Sequence, residues 1–89
     1  MPYALELKKS AAKELDRLSG KTYNTVIKHL HSLEENPRPF GAEKLTGRTE
    51  FKLRVGNYRI VYEINDATQQ IIVHMIDDRK QVYRRLRRL

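Results

Sequence analysis

Along the first residues apolar and polar positions alternate, Tyr3, Leu5 and Leu7 against Ala4 and Glu6, which is the period-two pattern of a half-buried strand. The period then changes. Ala11, Leu15 and Leu18 fall along one helical stripe, with Ser10 placed to cap it and "SGK" to end it. Tyr23, Val26, Ile27, Leu30 and Leu33 repeat at helical spacing and predict a second helix capped by Thr22. The two helices are expected to form an antiparallel pair packed on a sheet. "ENPRPFG" stops the second one, because proline has no N–H to donate and disfavours a helical residue before it.

Beyond that loop alternation returns in "EFKLRV", "YRIVYEI" and "QQIIVHMI", all rich in β-branched and aromatic residues. Gly56-Asn57 joins the first two as a two-residue hairpin turn, with glycine supplying the positive φ of a type II′ turn. "DDRKQVYRRLRRL" predicts a last short helix with Val82, Leu86 and Leu89 as its apolar stripe, and Asp78 with Gln81 resembles a capping box. The expected fold is α+β: an N-terminal strand and a helical hairpin on a mostly antiparallel four-stranded sheet, closed by a short C-terminal helix. With no repeat, low-complexity tract or linker, residues 1–89 read as one domain.

A turn at Gly56-Asn57 sets Arg54 opposite Arg59 and Val55 opposite Tyr58, and directly opposed residues share a face. Phe51, Leu53, Val55, Ile60 and Tyr62 then point to one side, and Lys52, Arg54 and Arg59 to the other. Like charges facing each other cost up to about 1 kcal/mol, so the cluster is expected to serve an anion, phosphate first. Arg79 and Tyr83, four apart on the last helix, add a cation and a phenol near a helix N-terminus.

Charge sharpens this picture. The 89 residues carry a net charge of +7. Residues 44–89 hold eleven Lys/Arg against five Asp/Glu, whereas residues 1–43 hold seven against six. A polyanion is the expected partner of the second half. There is no cysteine, which suits a reducing compartment. "MPYALELKKS" lacks the apolar run of a signal peptide, and no stretch approaches the roughly 20 apolar residues of a membrane span. A cytoplasmic protein without a membrane partner is expected. His29 and His31 diverge on a helix and His74 stands alone on a strand, so no metal is expected. Glu50 and Glu63 read as solvated strand residues, and neither a phosphate-cradling loop nor a Ser-His-Asp arrangement is present.

The order of short strand, helical hairpin, "EKLTG", "FKLRVGNYRIVYEI" and "DRKQVYRRL" resembles the RelE/ParE superfamily of toxin-antitoxin toxins over nearly the whole chain. "KLRVGNYRIVYEI", followed by an arginine and a tyrosine near the C-terminus, resembles the RelE-type ribosome-dependent mRNA endoribonucleases. The resemblance implies a type II toxin restrained by a cognate antitoxin, acting on ribosome and mRNA without a cofactor. It implies an active site of Lys52, Arg54, Arg59, Arg79 and Tyr83. Many relatives carry a histidine just before the last arginine, where this chain has Asp78, so a histidine-based mechanism finds no support. Such an enzyme needs no metal, because the RNA 2′-hydroxyl attacks the adjacent phosphate and the protein moves a proton, aligns the groups and stabilises charge. Lys52, flanked by Arg54 and Arg59, is the better base candidate, while Tyr83 either stacks on a base or shares the proton work. Lys44, Arg48, Arg84, Arg85, Arg87 and Arg88 are the expected RNA or ribosome contacts. Two alternatives stay open: a ParE-like inhibitor of DNA gyrase, which shares the superfamily fold but against which the basic cluster of Lys52, Arg54, Arg59 and Arg79 argues, and a noncatalytic RNA-binding module, favoured by the lack of an obvious histidine or carboxylate base.

Overall fold

The computed structural model describes residues 2–88. Strand β1 (Ala4–Leu7) leads into helices α1 (Lys9–Asp16) and α2 (Gly20–Glu35). Strands β2 (Ala42–Lys44), β3 (Phe51–Val55), β4 (Tyr58–Asn65) and β5 (Gln70–Asp78) follow, and helix α3 (Arg79–Arg87) ends the chain. The sheet has five strands in the order β1-β5-β4-β3-β2. Among the described residues only β1 runs parallel to its neighbour, pairing Leu5 with Ile71 and Leu7 with Val73.

The fold class is the expected one, with one strand more. β2 has only the three residues Ala-Glu-Lys and no β-branched side chain, so nothing local announces it. It exists through pairing with β3, where Glu43 faces Lys52 and Lys44 faces Phe51. Both helix starts also differ from expectation. Lys8 occupies the cap of α1 and Ser10 lies inside the helix. Ser19 occupies the cap of α2, and Gly20 at φ +55° lets the chain turn directly out of α1, which leaves Thr22 in the first turn.

The helices cover one face of the sheet. Ala11, Leu15, Val26, Leu30 and Leu33 meet Leu53, Val55, Ile60, Tyr62, Ile71, Val73 and Ile76 there. Tyr23, expected on this stripe, is 38% exposed at its edge. Tyr62 is fully buried and donates its hydroxyl to the Pro37 carbonyl at 2.8 Å, which pins the proline-rich loop to the sheet. Burial pushes its phenol up to about 12.

The opposite face carries a smaller core of Val61, Met75 and Val82, with Leu45 and Leu86 against it. Val82 and Leu86 therefore form the apolar stripe that docks α3, and the expected third member, Leu89, lies outside the described residues. Asp78 caps the helix as anticipated, its Oδ1 accepting from the Gln81 N–H at 3.0 Å. The Arg79 N–H donates to the Asn57 carbonyl at 2.9 Å, so the helix start is fastened to the β3–β4 turn.

Candidate functional site

The β3–β4 hairpin has the anticipated register, with Val55 opposite Tyr58, Arg54 opposite Arg59 and Lys52 opposite Val61. Gly56 takes φ +59° while Asn57 keeps a negative φ, as a type II′ turn requires. Leu53, Val55, Ile60 and Tyr62 consequently lie beneath α1 and α2. Lys52, Arg54 and Arg59 share the other face with α3.

The three cations differ in how they are held. Arg54 is exposed. Arg59 is only 6% exposed, and its Nη1 donates to the carbonyls of Gly56 at 3.0 Å and Tyr58 at 2.9 Å. Its guanidinium is thus folded onto its own turn, and on the β5 side Asp77 stands opposite it. Carbonyl dipoles and a neighbouring carboxylate relieve the Arg54–Arg59 opposition before any anion arrives.

Tyr83 completes the centre of this face. Lys52 Nζ donates to the Tyr83 hydroxyl at 3.3 Å and lies 5.0 Å from the centre of its ring. The Lys52 hydrogen bond, followed by its charge, holds the Tyr83 phenol below its ordinary value, and nearby Arg59 acts in the same direction. A phenol beside two cations is an acid and base more readily available near neutrality than a free tyrosine. Arg79 sits one helical turn away at the head of α3. It lines a groove of about 460 Å³ with Asn57, Asp78, Lys80, Gln81 and Arg84.

The remaining basic residues divide. Arg84, Arg87 and Arg88 are exposed on or just after α3. Lys44 is exposed, but it pairs with Phe51 and so points to the helical face, away from Lys52. Arg48 binds both carboxylate oxygens of Glu50, at 3.2 and 2.7 Å. Arg85 bonds to Glu14 and, at 3.2 Å, to Asp77. Arg48 and Arg85, expected to reach for RNA, already have protein carboxylates as partners.

Glu50 and Glu63, expected to be solvated, instead meet His74. His74 follows Val73 onto the α3 face, beside a bulge in β5 where Val61 faces Met75 but Tyr62 faces Val73, and its Nε2 lies 2.5 Å from Glu63 Oε1. Glu50, Glu63 and His74 bring one donor atom each within 4.8 Å of one another, the single such group among the described residues. Arg48 occupies both oxygens of Glu50, so the group is a self-neutralised knot beside the basic centre rather than an open cation site. Alternation with Val73 marks the face of His74, but its meeting with Glu50 and Glu63 depends on strand pairing that no local signal shows.

The comparisons with known proteins agree with this architecture. The family model of ParE toxins of type II toxin-antitoxin systems matches residues 5–83. Toxin RelG of Mycobacterium tuberculosis is 28% identical over 89 residues, spanning 96% of this chain and 100% of that protein. The archaeal RelE-RelB complex from Pyrococcus horikoshii OT3 contains a similar chain, with TM-score 0.79, 27% identity and coverage of 89% of this chain and 97% of that one. The isolated E. coli RelE toxin shares the fold, with TM-score 0.76, 23% identity and coverage of 97% and 96%. A family match spanning both the hairpin and the Lys52–Tyr83 contact means that this chain belongs to the ParE toxin family of type II toxin-antitoxin systems, within the RelE/ParE superfamily.

Proposed function

We propose that this toxin cleaves mRNA on the ribosome by transesterification, with the RNA's own 2′-hydroxyl as nucleophile. The observation that carries this reading is the Tyr83 hydroxyl held 3.3 Å from Lys52 Nζ, next to a buried Arg59. Lys52, the base candidate of the sequence, donates in this contact as an ammonium, so we assign the base that takes the 2′-hydroxyl proton to Tyr83 and the stabilisation of its phenolate to Lys52. Arg59, already oriented by two carbonyls, offers its remaining N–H groups to a phosphate with little reorganisation. Exposed Arg54 binds the same phosphate, and Arg79 serves the leaving 5′-oxygen. The products are a 2′,3′-cyclic phosphate and a 5′-hydroxyl, formed without a water nucleophile or a metal. Arg84, Arg87 and Arg88 hold flanking RNA by charge. The setting is the cytoplasm.

Two solved relatives support a protein partner: the P. horikoshii chain comes from a RelE-RelB complex, and a second E. coli structure, distinct from the isolated toxin, is the intact RelBE toxin-antitoxin complex. A cognate acidic antitoxin covering the α3 face follows from the charge of that face. The family model, described for ParE toxins, favours a second reading in which the chain acts by binding DNA gyrase.

One experiment separates the two. Programmed ribosomes carrying an mRNA with a single 2′-deoxy nucleotide before the cut are expected to bind toxin and escape cleavage, while the all-ribose mRNA is cut. Efficient cutting of the 2′-deoxy substrate overturns the mechanism. Intact mRNA together with inhibited gyrase supercoiling establishes the second reading instead.

A further inference from the structure

Among the described residues, the α3 helix is held to the sheet by a narrow apolar stripe, buried Val82 and half-buried Leu86 against Val61, Met75 and Leu45. A stripe this narrow fixes where the helix lies better than how it is turned about its own axis. Successive helical residues are about 100° apart, so Tyr83 and Arg85 project from opposite flanks of the Val82 stripe. Tyr83 reaches Lys52 on the β3 side. Arg85 reaches the other way, to the edge of β5.

That edge has an unusual construction. β1 stops pairing with β5 at Val73, so the β5 backbone beyond it has no strand alongside on that side. Glu14 of α1 fills the gap, its Oε1 accepting from the Ile76 N–H at 3.0 Å. Its other oxygen, Oε2, accepts from Arg85 Nη1, which also donates to Asp77 Oδ2 at 3.2 Å. One carboxylate thus joins α1, on one face of the sheet, to α3, on the other, around the free edge of β5. Arg85, Glu14 and Asp77 are all at least half-buried, with side chains 29%, 16% and 28% exposed. Shielded, multiply bonded pairs of this kind hold orientation better than surface pairs do.

We propose that Glu14, Asp77 and Arg85 form a latch that sets the rotation of α3 and thereby positions the Tyr83 ring on Lys52. Arg85 is then a positioning residue and not an RNA contact. Around Tyr83 the facing charges are Lys52 from β3 and Arg59 from β4, and Asp77 of the latch stands opposite Arg59 in the sheet. The geometric inference stands whatever the α3 face binds, and only its consequence for cleavage rests on the reading given above.

The test reads Tyr83 directly. In protein labelled at tyrosine Cζ, the Tyr83 resonance is assigned with Tyr83→Phe and its titration followed by NMR. In the wild type Tyr83 is expected to titrate below the ordinary tyrosine value, and Arg85→Ala is expected to move it upward toward that value, while Arg85→Lys keeps most of the difference. Asp77→Asn and Glu14→Gln, which keep the shapes of the acceptors, should give intermediate shifts and provide the reading if Arg85→Ala does not fold. A folded Arg85→Ala, or the two acceptor variants together, with the Tyr83 titration unchanged overturns the latch. On programmed ribosomes Arg85→Ala should lower kcat by about 10- to 100-fold with little change in KM. A wild type that does not cleave mRNA removes the proposed reaction and leaves the titration result intact.

Discussion

Among the site residues, Tyr83 and Arg79 make separable predictions. Because Lys52 holds the Tyr83 phenol below its ordinary value, the base form should appear, and kcat should climb, as pH rises through that lowered value. Tyr83→Phe should abolish this limb of the pH–rate profile, which single-turnover cleavage from pH 6 to 10 would show; an unchanged limb assigns the base elsewhere. Arg79 is exposed and takes no part in the Lys52–Tyr83 contact. Arg79→Ala should therefore cost rate rather than affinity, about 2.7 to 4 kcal/mol if it stabilises leaving-group charge as single donors do elsewhere. Arg54 and Arg59 looked alike in sequence, and the structure separates them: Arg59 is spent partly on its own turn, and Arg54 alone faces solvent. Sulfate should raise the melting temperature of the wild type, and Arg54→Gln should remove most of that response; equal responses would place the anion elsewhere.

Element by element, what could be read in the sequence was what local chemistry decides. The Gly56-Asn57 turn fixed the β3–β4 register, and with it the side on which Lys52, Arg54 and Arg59 emerge. Asp78 fixed the start of α3. Asp78→Ala should cost about 1 kcal/mol, measurable by urea denaturation, and it should loosen the first turn of the helix that presents Arg79. What stayed hidden depends on partners distant in the chain. β2 has no strand pattern of its own and is defined by β3. The β5 bulge and the Glu14–Arg85 bond, 71 residues apart in sequence, leave no periodic trace. Arg48 and Arg85 read in the sequence as nucleic-acid contacts, and their carboxylate partners were hidden because a basic residue in sequence carries no sign of one. The loop before β3 gives a further check. Arg48 holds the Glu50 carboxyl below its ordinary range, so its contribution to stability is complete at neutral pH and is lost as pH falls through that lowered value. Glu50→Gln should flatten the acid limb of the stability curve, and identical acid limbs would show the pair to be energetically silent.

Over the whole molecule, charge and hydrophobic cover are distributed unequally between the two faces of the sheet. Among the described residues the helical face buries most of the core, whereas the α3 face rests on three buried side chains and two partly buried ones. The same thinly covered face carries Lys52, Arg54, Arg59, Arg79 and Arg84, within a chain of net charge +7. A small domain with so modest a second core gains stability from any partner that binds the folded form alone. An acidic antitoxin segment lying across α3 would supply both missing terms, apolar cover beside Val82 and Leu86 and counter-charge for the basic centre. Its affinity should fall as salt rises, and its binding should raise the melting temperature in proportion to the logarithm of its concentration. Amine-reactive footprinting gives the location. Lys52 and Lys80 should become protected in the complex, while Lys13 on α1 and Lys28 on α2, both exposed away from this face, should react as they do in the free toxin. Protection of Lys13 and Lys28 with Lys52 still reactive would move the antitoxin to the helical face, and inhibition would then have to act at a distance from Tyr83 rather than by covering it.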